Sequence, residues 1–322
     1  MQVIAEYGKE DLATVYVARV DDDEAKLIEF VESVQPPIPR EQKWVLIIST
    51  LFGCPVRCAF CDAGGGYAGA LSADQILDQI LFMVNRRYPG GVVAVPKLKI
   101  QFARMGEPAL NPAVLEALRR LPERLRAPGL LPSISSVGPW GREAFFEELL
   151  QIKEQLYGGG RFQLQFSIHS TDPSVRRHLI PIRLLSLPWI ADFGSRFRRA
   201  DDQLITLNFA VARDVPLDPP SLRSLFSPEH FLIKLTPVNP TARAKALGIE
   251  SGIDPFLQDT GRALKQSFEE EGFRVILSIG EVEENAIGSN CGMFVSEIRE
   301  GRRYVREGYT SQRFARLGAR IL

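Results

Sequence analysis

Three of the chain's four cysteines, Cys54, Cys58 and Cys61, fall within eight residues of the stretch FGCPVRCAFCDAGGG. The spacing Cys-x3-Cys-x2-Cys is too tight for independent disulfide staples, and four cysteines in 322 residues do not make a disulfide framework. Three thiolates so placed can wrap one face of a compact metal centre. A cubane iron–sulfur cluster and a structural zinc site each take four ligands, so one position stays open unless the distant Cys291 fills it. Three readings follow: an iron–sulfur cluster with an open iron, a four-cysteine zinc site completed by Cys291, and buried thiols with no metal. Zinc sites usually pair one CxxC with another or with histidines, and the sequence holds no second pair. Apolar burial alone does not explain the spacing.

The elements that must hold this loop read as a repeating unit. WVLIIST (44–50) is apolar, β-branched and of strand length, and it ends just before the cysteines. After the loop, Ser72 and Gln75 make a capping box, and Ile76, Leu77, Ile80, Leu81 and Val84 fall at helical spacing. KLKIQFA (97–103) is the next strand, with Asn111-Pro112 opening a helix after it. LLPSISSV (130–137), FQLQFSI (162–168), LITLNFAV (204–211), FLIKLTP (231–237) and FRVILSI (273–279) are further strands, with helical segments near 141–156, 187–198 and 219–226. Asp254-Pro255 is read as opening a helix that stops at Gly272. About six successive β-α units predict an α/β fold, a partial (β/α)6 TIM-type barrel, with chemistry in the loops at the C-terminal strand ends. The expected division is an N-terminal extension and linker over 1–43, a core barrel over 44–294 that includes the Cys291 loop, and an arginine-rich tail over 295–322. Within the extension, ATVYVARV (13–20) reads as a strand.

The cysteine pattern, with Phe60 as the aromatic before the last cysteine and a strand before the loop, resembles the signature of the radical SAM superfamily. That resemblance implies a [4Fe–4S] cluster on Cys54, Cys58 and Cys61 whose fourth iron binds S-adenosylmethionine, and one-electron cleavage of that cofactor to a 5′-deoxyadenosyl radical. Five further stretches resemble the RlmN/Cfr branch, RNA adenine methyltransferases: RMGEPALN (104–111), SSVGPW (135–140), QFSIHSTDPSVRRHLIPI (165–182), TPVNP (236–240) and SNCGMF (289–294). They are collinear over about residues 44 to 294. The resemblance assigns Phe60, Gly106, Glu107, Ser135, Ser167, Ile168, His169 and Asn239 to the cofactor, with Glu107 receiving its ammonium. These types suit a ligand that presents an ammonium, a carboxylate, a ribose diol and an adenine. His169 is read in a backbone or packing role, and the glycines at 64–66 as a tight turn without the GK[ST] end of a phosphate loop.

In the family, the cysteine matching Cys291 receives a methyl group and carries it to adenine C2, or to C8 in Cfr enzymes, through a thioether crosslink. A second cysteine and an N-terminal glutamate then help resolve the crosslink. Here Ile47 and Ala13 stand at those positions, and neither can attack a thioether or take a proton. The resemblance thus implies RNA adenine C2 methylation through Cys291. The alternatives are the same radical chemistry on another substrate, and a non-catalytic zinc protein. The implied partners are an RNA, rRNA or tRNA, and a one-electron donor such as flavodoxin or ferredoxin.

Composition narrows the setting. The chain is 45% hydrophobic and 24% charged with formal net charge zero, so no global positive field marks a nucleic-acid binder. Basic faces are local, most of all REGRRYVREGYTSQRFARLGAR (299–320) with its seven arginines, read as a solvated face or as phosphate contacts. No apolar run reaches the roughly 18 to 20 residues of a membrane span, and the N-terminus has no secretory pattern, so a cytoplasmic location is expected.

Overall fold

The computed structural model describes residues 1–21, 23–257 and 259–280, and beyond them Glu284, Ile287, Phe294, Val295 and Ile298. Cys291 and the arginine-rich tail lie outside the described residues. The chain opens with antiparallel strands β1 (Gln2–Lys9), β2 (Ala13–Val20) and β3 (Asp23–Ser33), and β3 pairs antiparallel with β4 (Lys43–Ile48), Val31 opposite Ile47. The expected strand at 13–20 is β2. The charged run after it, read as part of a linker, is instead strand β3: Leu27, Phe30 and Val31 are buried, and their side chains decide the conformation over the local charge.

The cysteine loop follows β4 and contains a hairpin, β5 (Leu51–Cys54) and β6 (Gly65–Ala70). Helices and strands then alternate: α1 (Ala73–Arg87), β7 (Lys97–Phe102), α2 (Ala113–Arg124), β8 (Leu130–Ser136), α3 (Glu143–Leu156), β9 (Gln163–Ser167), α4 (Pro173–Leu179), α5 (Leu187–Phe197), β10 (Ile205–Val211), α6 (Pro219–Leu225), β11 (Phe231–Pro237), α7 (Ala242–Ala246), α8 (Arg262–Glu270) and β12 (Arg274–Leu277). The helix expected from Asp254 starts only at Arg262, because Gly261 takes a left-handed φ of +86° and breaks the run before it.

One sheet carries the order β1-β2-β3-β4-β7-β8-β9-β10-β11-β12. From β4 onward each strand is parallel to the next, which makes the arc of a partial TIM-type barrel. A short strand, β12, extends the arc one step beyond six. The strands of this arc have two different faces. In β4 and β7 alternate residues are buried, Trp44, Leu46, Ile48, Leu98, Ile100 and Phe102, in one apolar core that also takes in Ile76, Ile80 and Leu118 of the helices. The residues between them, among them Lys43, Val45, Ile47, Lys99 and Gln101, line a cavity inside the arc.

A buried ion pair ties the N-terminal strands to this arc. Arg104, just past β7, places Nη2 2.9 Å from Oε2 of Glu29 on β3, with both side chains out of solvent. The Val295 N–H donates to the other Glu29 oxygen at 3.2 Å, which brings the chain's C-terminal part to the same carboxylate. Burial pushes the Glu29 carboxyl above the usual range and Arg104 opposes that shift. Arg104→Met is expected to lower stability by about 3–5 kcal/mol in urea unfolding, because it leaves a buried acid without its partner. Adding Glu29→Leu is expected to return most of the loss; a single variant as stable as the parent contradicts the pairing.

Candidate active site

The cysteine loop is pinned on every side by backbone and capping bonds. Thr50 and Leu51 N–H donate to the Met105 carbonyl at 2.8 and 3.2 Å, and Asn111 Nδ2 donates to the Thr50 and Leu71 carbonyls at 2.8 Å each. Ala59 N–H donates to the Leu179 carbonyl at 2.8 Å, and Thr241 Oγ1 donates to the Phe60 carbonyl at 3.1 Å. Asp62 caps α7, its carboxylate accepting from Ala242 and Arg243 N–H at 3.0 and 2.9 Å. The glycines turn the loop tightly, as expected. A Cβ on Gly53, whose φ is +74°, would stand 2.4 Å from the Gly65 carbonyl oxygen, and one on Gly64 2.9 Å from Arg57 Cα.

Held this way, Cys54, Cys58 and Cys61 line one wall of a cavity of about 740 Å³, a size suited to a cofactor and part of a substrate. Phe60, Gly106, Glu107, Ser135, Ser167, His169 and Asn239 line the same cavity. Ile168 is fully buried in the main core, and its N–H donates to the Asn208 carbonyl at 2.9 Å. Cys291 lies outside the described residues.

All three thiols are shifted upward. Burial raises Cys54 and Cys61 to about 11 and raises Cys58 well above its usual value, and the thiols raise one another. Backbone N–H groups of Val56, Arg57 and Glu107 pull Cys54 back toward the thiolate, and that of Ala63 does so for Cys61. A donor set of three mutually repelling thiols, each served by backbone N–H groups, fits a positively charged cluster core. Among the described residues no three His, Cys, Asp or Glu side chains close on a common point as the ligands of a single ion do. Cysteines bound to three separate irons need no such point.

Glu107 is fully set. Its Oε1 accepts from Ser136 Oγ at 2.6 Å and from Ala109 N–H at 3.0 Å, and its Oε2 accepts from Val137 N–H at 2.8 Å. Burial raises it to about 7 against these bonds, so a cation entering the cavity would find a carboxylate in want of a partner charge. Gly106 beside it has φ +101°, and a Cβ there would stand 2.6 Å from Leu51 side-chain atoms, so only glycine lets the chain turn against the loop.

His169 holds a left-handed φ of +65°, and its Nδ1 accepts from Ala210 N–H at 3.0 Å. Phe60 meets its ring edge-on at 4.7 Å. Arg176, from the same stretch, is buried and donates to the Leu185 and Val137 carbonyls at 3.0 and 2.9 Å, locking the loops after β8 and α4 together.

The sequence reading missed other cavity residues: Gln101, Gln165, Asn208 and Thr236, and the lysines Lys43, Lys99 and Lys234. A signal was present. Parallel strands covered on both faces read as continuous apolar runs, yet KLKIQF, QLQFS and IKLTP alternate.

No family model matches the chain. Among curated proteins it is 32% identical over 175 residues to the "Probable dual-specificity RNA methyltransferase RlmN" of Parasynechococcus marenigrum, covering 53% of this chain and 46% of that one. To the protein of the same description from Chlorobaculum tepidum it is 28% identical, over 61% of this chain and 51% of that one. The chain thus spans about half the length of the curated relatives it matches. Among solved structures it is similar to a radical SAM methyltransferase from Sphaerobacter thermophilus, with TM-score 0.69 and 19% identity over 90% of this chain and 80% of that one. Streptococcus suis SuiB, solved with S-adenosylmethionine, matches at TM-score 0.52 and 11% identity over 75% of this chain and 51% of that one. The fold is the α/β arc of these radical SAM structures. The curated relatives it matches carry the RlmN description, and the stretches quoted above resemble the same branch.

Burial lowers the His169 imidazole to about 3 from 6.5. A buried neutral histidine stabilises the fold above its unfolded pKa, and this contribution is lost as pH falls from about 6.5 toward 3. His169→Gln is expected to make urea stability less steep with pH in that window by up to one proton, about 1.4 kcal/mol per pH unit. An unchanged acid slope would show that His169 is not held neutral.

Proposed function

We propose that the chain is a radical SAM enzyme. Cys54, Cys58 and Cys61 would hold a [4Fe–4S] cluster, and S-adenosylmethionine would lie against Phe60, Gly106, Glu107, Ser135, Ser167, His169 and Asn239, with Ile168 packed behind this wall in the core. When bound, the cluster supplies the electron that cleaves the cofactor to a 5′-deoxyadenosyl radical and methionine. The observation that carries this reading is three half-buried thiols and the buried Glu107 carboxylate lining one cavity. Glu107 receives the cofactor's ammonium, and Ser135 and Asn239 offer polar groups to its ribose or adenine. His169, neutral and bonded through Nδ1, shapes the wall instead of moving a proton.

In this reading residues 44–294 are the catalytic core. The specific activity is methylation of adenine C2 in RNA, with Cys291 as methyl carrier, the tail arginines touching phosphates and a flavodoxin or ferredoxin giving the electron. The setting is the cytoplasm; among the described residues no helix is long and apolar enough to cross a membrane.

One observation favours a second reading, the same chemistry on another substrate. Ile47 and Ala13 stand where the resembling family has its resolving cysteine and glutamate, and here they share one apolar cluster with Met105, Phe294 and Val295, beside Cys61. The corner that would resolve a crosslink is lined with hydrocarbon and carries no nucleophile or base at these two positions.

Anaerobic reconstitution is expected to give about four irons per chain and, on reduction, release of 5′-deoxyadenosine. Any single Cys→Ala change at 54, 58 or 61 should abolish both. Glu107→Gln should keep the iron and weaken cofactor binding at least tenfold, the loss of a charge-assisted bond of about 1.5–3 kcal/mol. Zinc in place of iron overturns the reading. An intact-protein mass one methyl group above the unmodified chain, mapped to Cys291, is expected for the methyl-carrier role; an unmodified Cys291 after incubation with excess cofactor favours the second reading.

A further inference from the structure

The inner face of a TIM-type barrel is normally packed with branched apolar side chains. Here it carries three lysines. Lys43 comes from β4, Lys99 from the neighbouring β7, and Lys234 from β11 across the arc, and all three line the cavity that the cysteines line. Each sits at a strand position whose neighbours, Trp44, Leu98, Ile100, Ile233 and Leu235, point into the outer core, so the alternation of the strands sends the lysines inward.

Their charges are not matched by acids. Among the described residues lining the cavity the carboxylates are Glu107, which belongs to the thiol end, and Glu284, which accepts from Ser33 Oγ at 2.9 Å. No ion pair joins Lys43, Lys99 or Lys234 to an acid among the described residues; Lys43 Nζ donates to Gln35 Oε1. The lysines instead repel one another. Burial lowers Lys99 to about 7, with Lys234, Lys43 and Lys97 adding to the shift, and Lys234 is lowered by burial and by Lys43. Half-buried ammonium groups gathered on one cavity without an acid partner are destabilising in the free protein and suit an anion.

We propose that Lys43, Lys99 and Lys234 form a subsite inside the barrel for a phosphomonoester on a small substrate, which extends from this group toward the cofactor. Three ammonium groups favour a dianion over a carboxylate's single charge. Planar carboxylate recognition is the work of a guanidinium fork, whereas lysine binds phosphate as a point charge. Lys43, Lys99 and Lys234 lie on the strands and not in the βα loops at the mouth, so the phosphate must enter the barrel. A terminal phosphate on a small molecule does so readily, while the diesters of a nucleic acid strand stay at the mouth unless the strand itself is threaded inward. The placement of this group relative to the cofactor rests on the second reading above, the same chemistry on a substrate other than RNA; the anion site itself does not.

The test is calorimetric titration of the full chain with inorganic phosphate, acetate and dimethyl phosphate at one ionic strength. Iron content and S-adenosylmethionine binding are read separately on the same preparations, so that failure of the radical SAM reading shows there and not in the phosphate arm. Inorganic phosphate is expected to bind at least tenfold tighter than acetate or dimethyl phosphate. Lys99→Met and Lys234→Met are each expected to weaken phosphate about tenfold, leave iron and cofactor binding unchanged, and raise the thermal midpoint of the phosphate-free protein as the repulsion is relieved. Lys99→Gln replaces the methionine variant should that one not fold, with the same expected loss. Acetate binding as tightly as phosphate, or variants binding phosphate like the parent, overturns the subsite. Dimethyl phosphate binding as tightly as phosphate overturns the monoester assignment.

Discussion

Three half-buried thiols and the buried Glu107 carboxylate line one cavity, where ionising them together is disfavoured unless cations come between them, and the rest of the site follows from this constraint. Burial raises Cys54, Cys58, Cys61 and Glu107; Cys54 adds to the shifts of Cys58 and Cys61, and Glu107 to those of Cys54 and Cys58. A cluster core and a ligand bearing a sulfonium and an ammonium are cations of the required kind, and both would lower these groups toward their charged forms. The fold's part is to keep the four side chains from relaxing apart. It does so with backbone hydrogen bonds from the cysteine loop to the ends of neighbouring elements, at Met105, Leu179 and Thr241, so that the loop is as fixed as the strands beneath it.

The cavity has a second pole. At the loop end the wall is acidic and sulfur-bearing; further in, three lysines replace the apolar filling of an ordinary barrel. A substrate with a cationic cofactor at one side and an anionic group of its own at the other would be held at both ends, with the reacting atom between them. Ile47 lines the cavity as hydrocarbon, with Ala13 buried behind it in one cluster with Met105 and Phe294, and neither gives that end a nucleophile or a base. Under the proposed radical SAM reading, the residues for generating the radical are present and those for resolving a crosslink are not.

Much of this was legible in the sequence because local chemistry and periodicity agree. The Ser72–Gln75 capping box forms as read, with bonds of 3.2 and 2.9 Å, and FLIKLTP is β11 to the residue. The cysteine spacing placed the site because three thiols at those intervals must share one loop. What stayed hidden depended on distant partners. Nothing local marks Asp23–Ser33 as a strand, since its conformation is set by burial between β2 and β4. The Arg104–Glu29 pair joins residues 75 positions apart. The inward lysines were visible as an alternation in KLKIQ and IKLTP, but that pattern acquires meaning only once both strands are known to be central and parallel.

The central claim is that the three-cysteine wall holds a cluster with one iron left open to the cofactor. Low-temperature electron paramagnetic resonance of the anaerobically reconstituted, reduced protein tests it most directly. The account predicts the signal of a single reduced [4Fe–4S] cluster whose g-values shift when S-adenosylmethionine is added, and no such signal in Cys58→Ala. A cluster signal indifferent to S-adenosylmethionine, or a protein that takes up zinc and no iron, would contradict it.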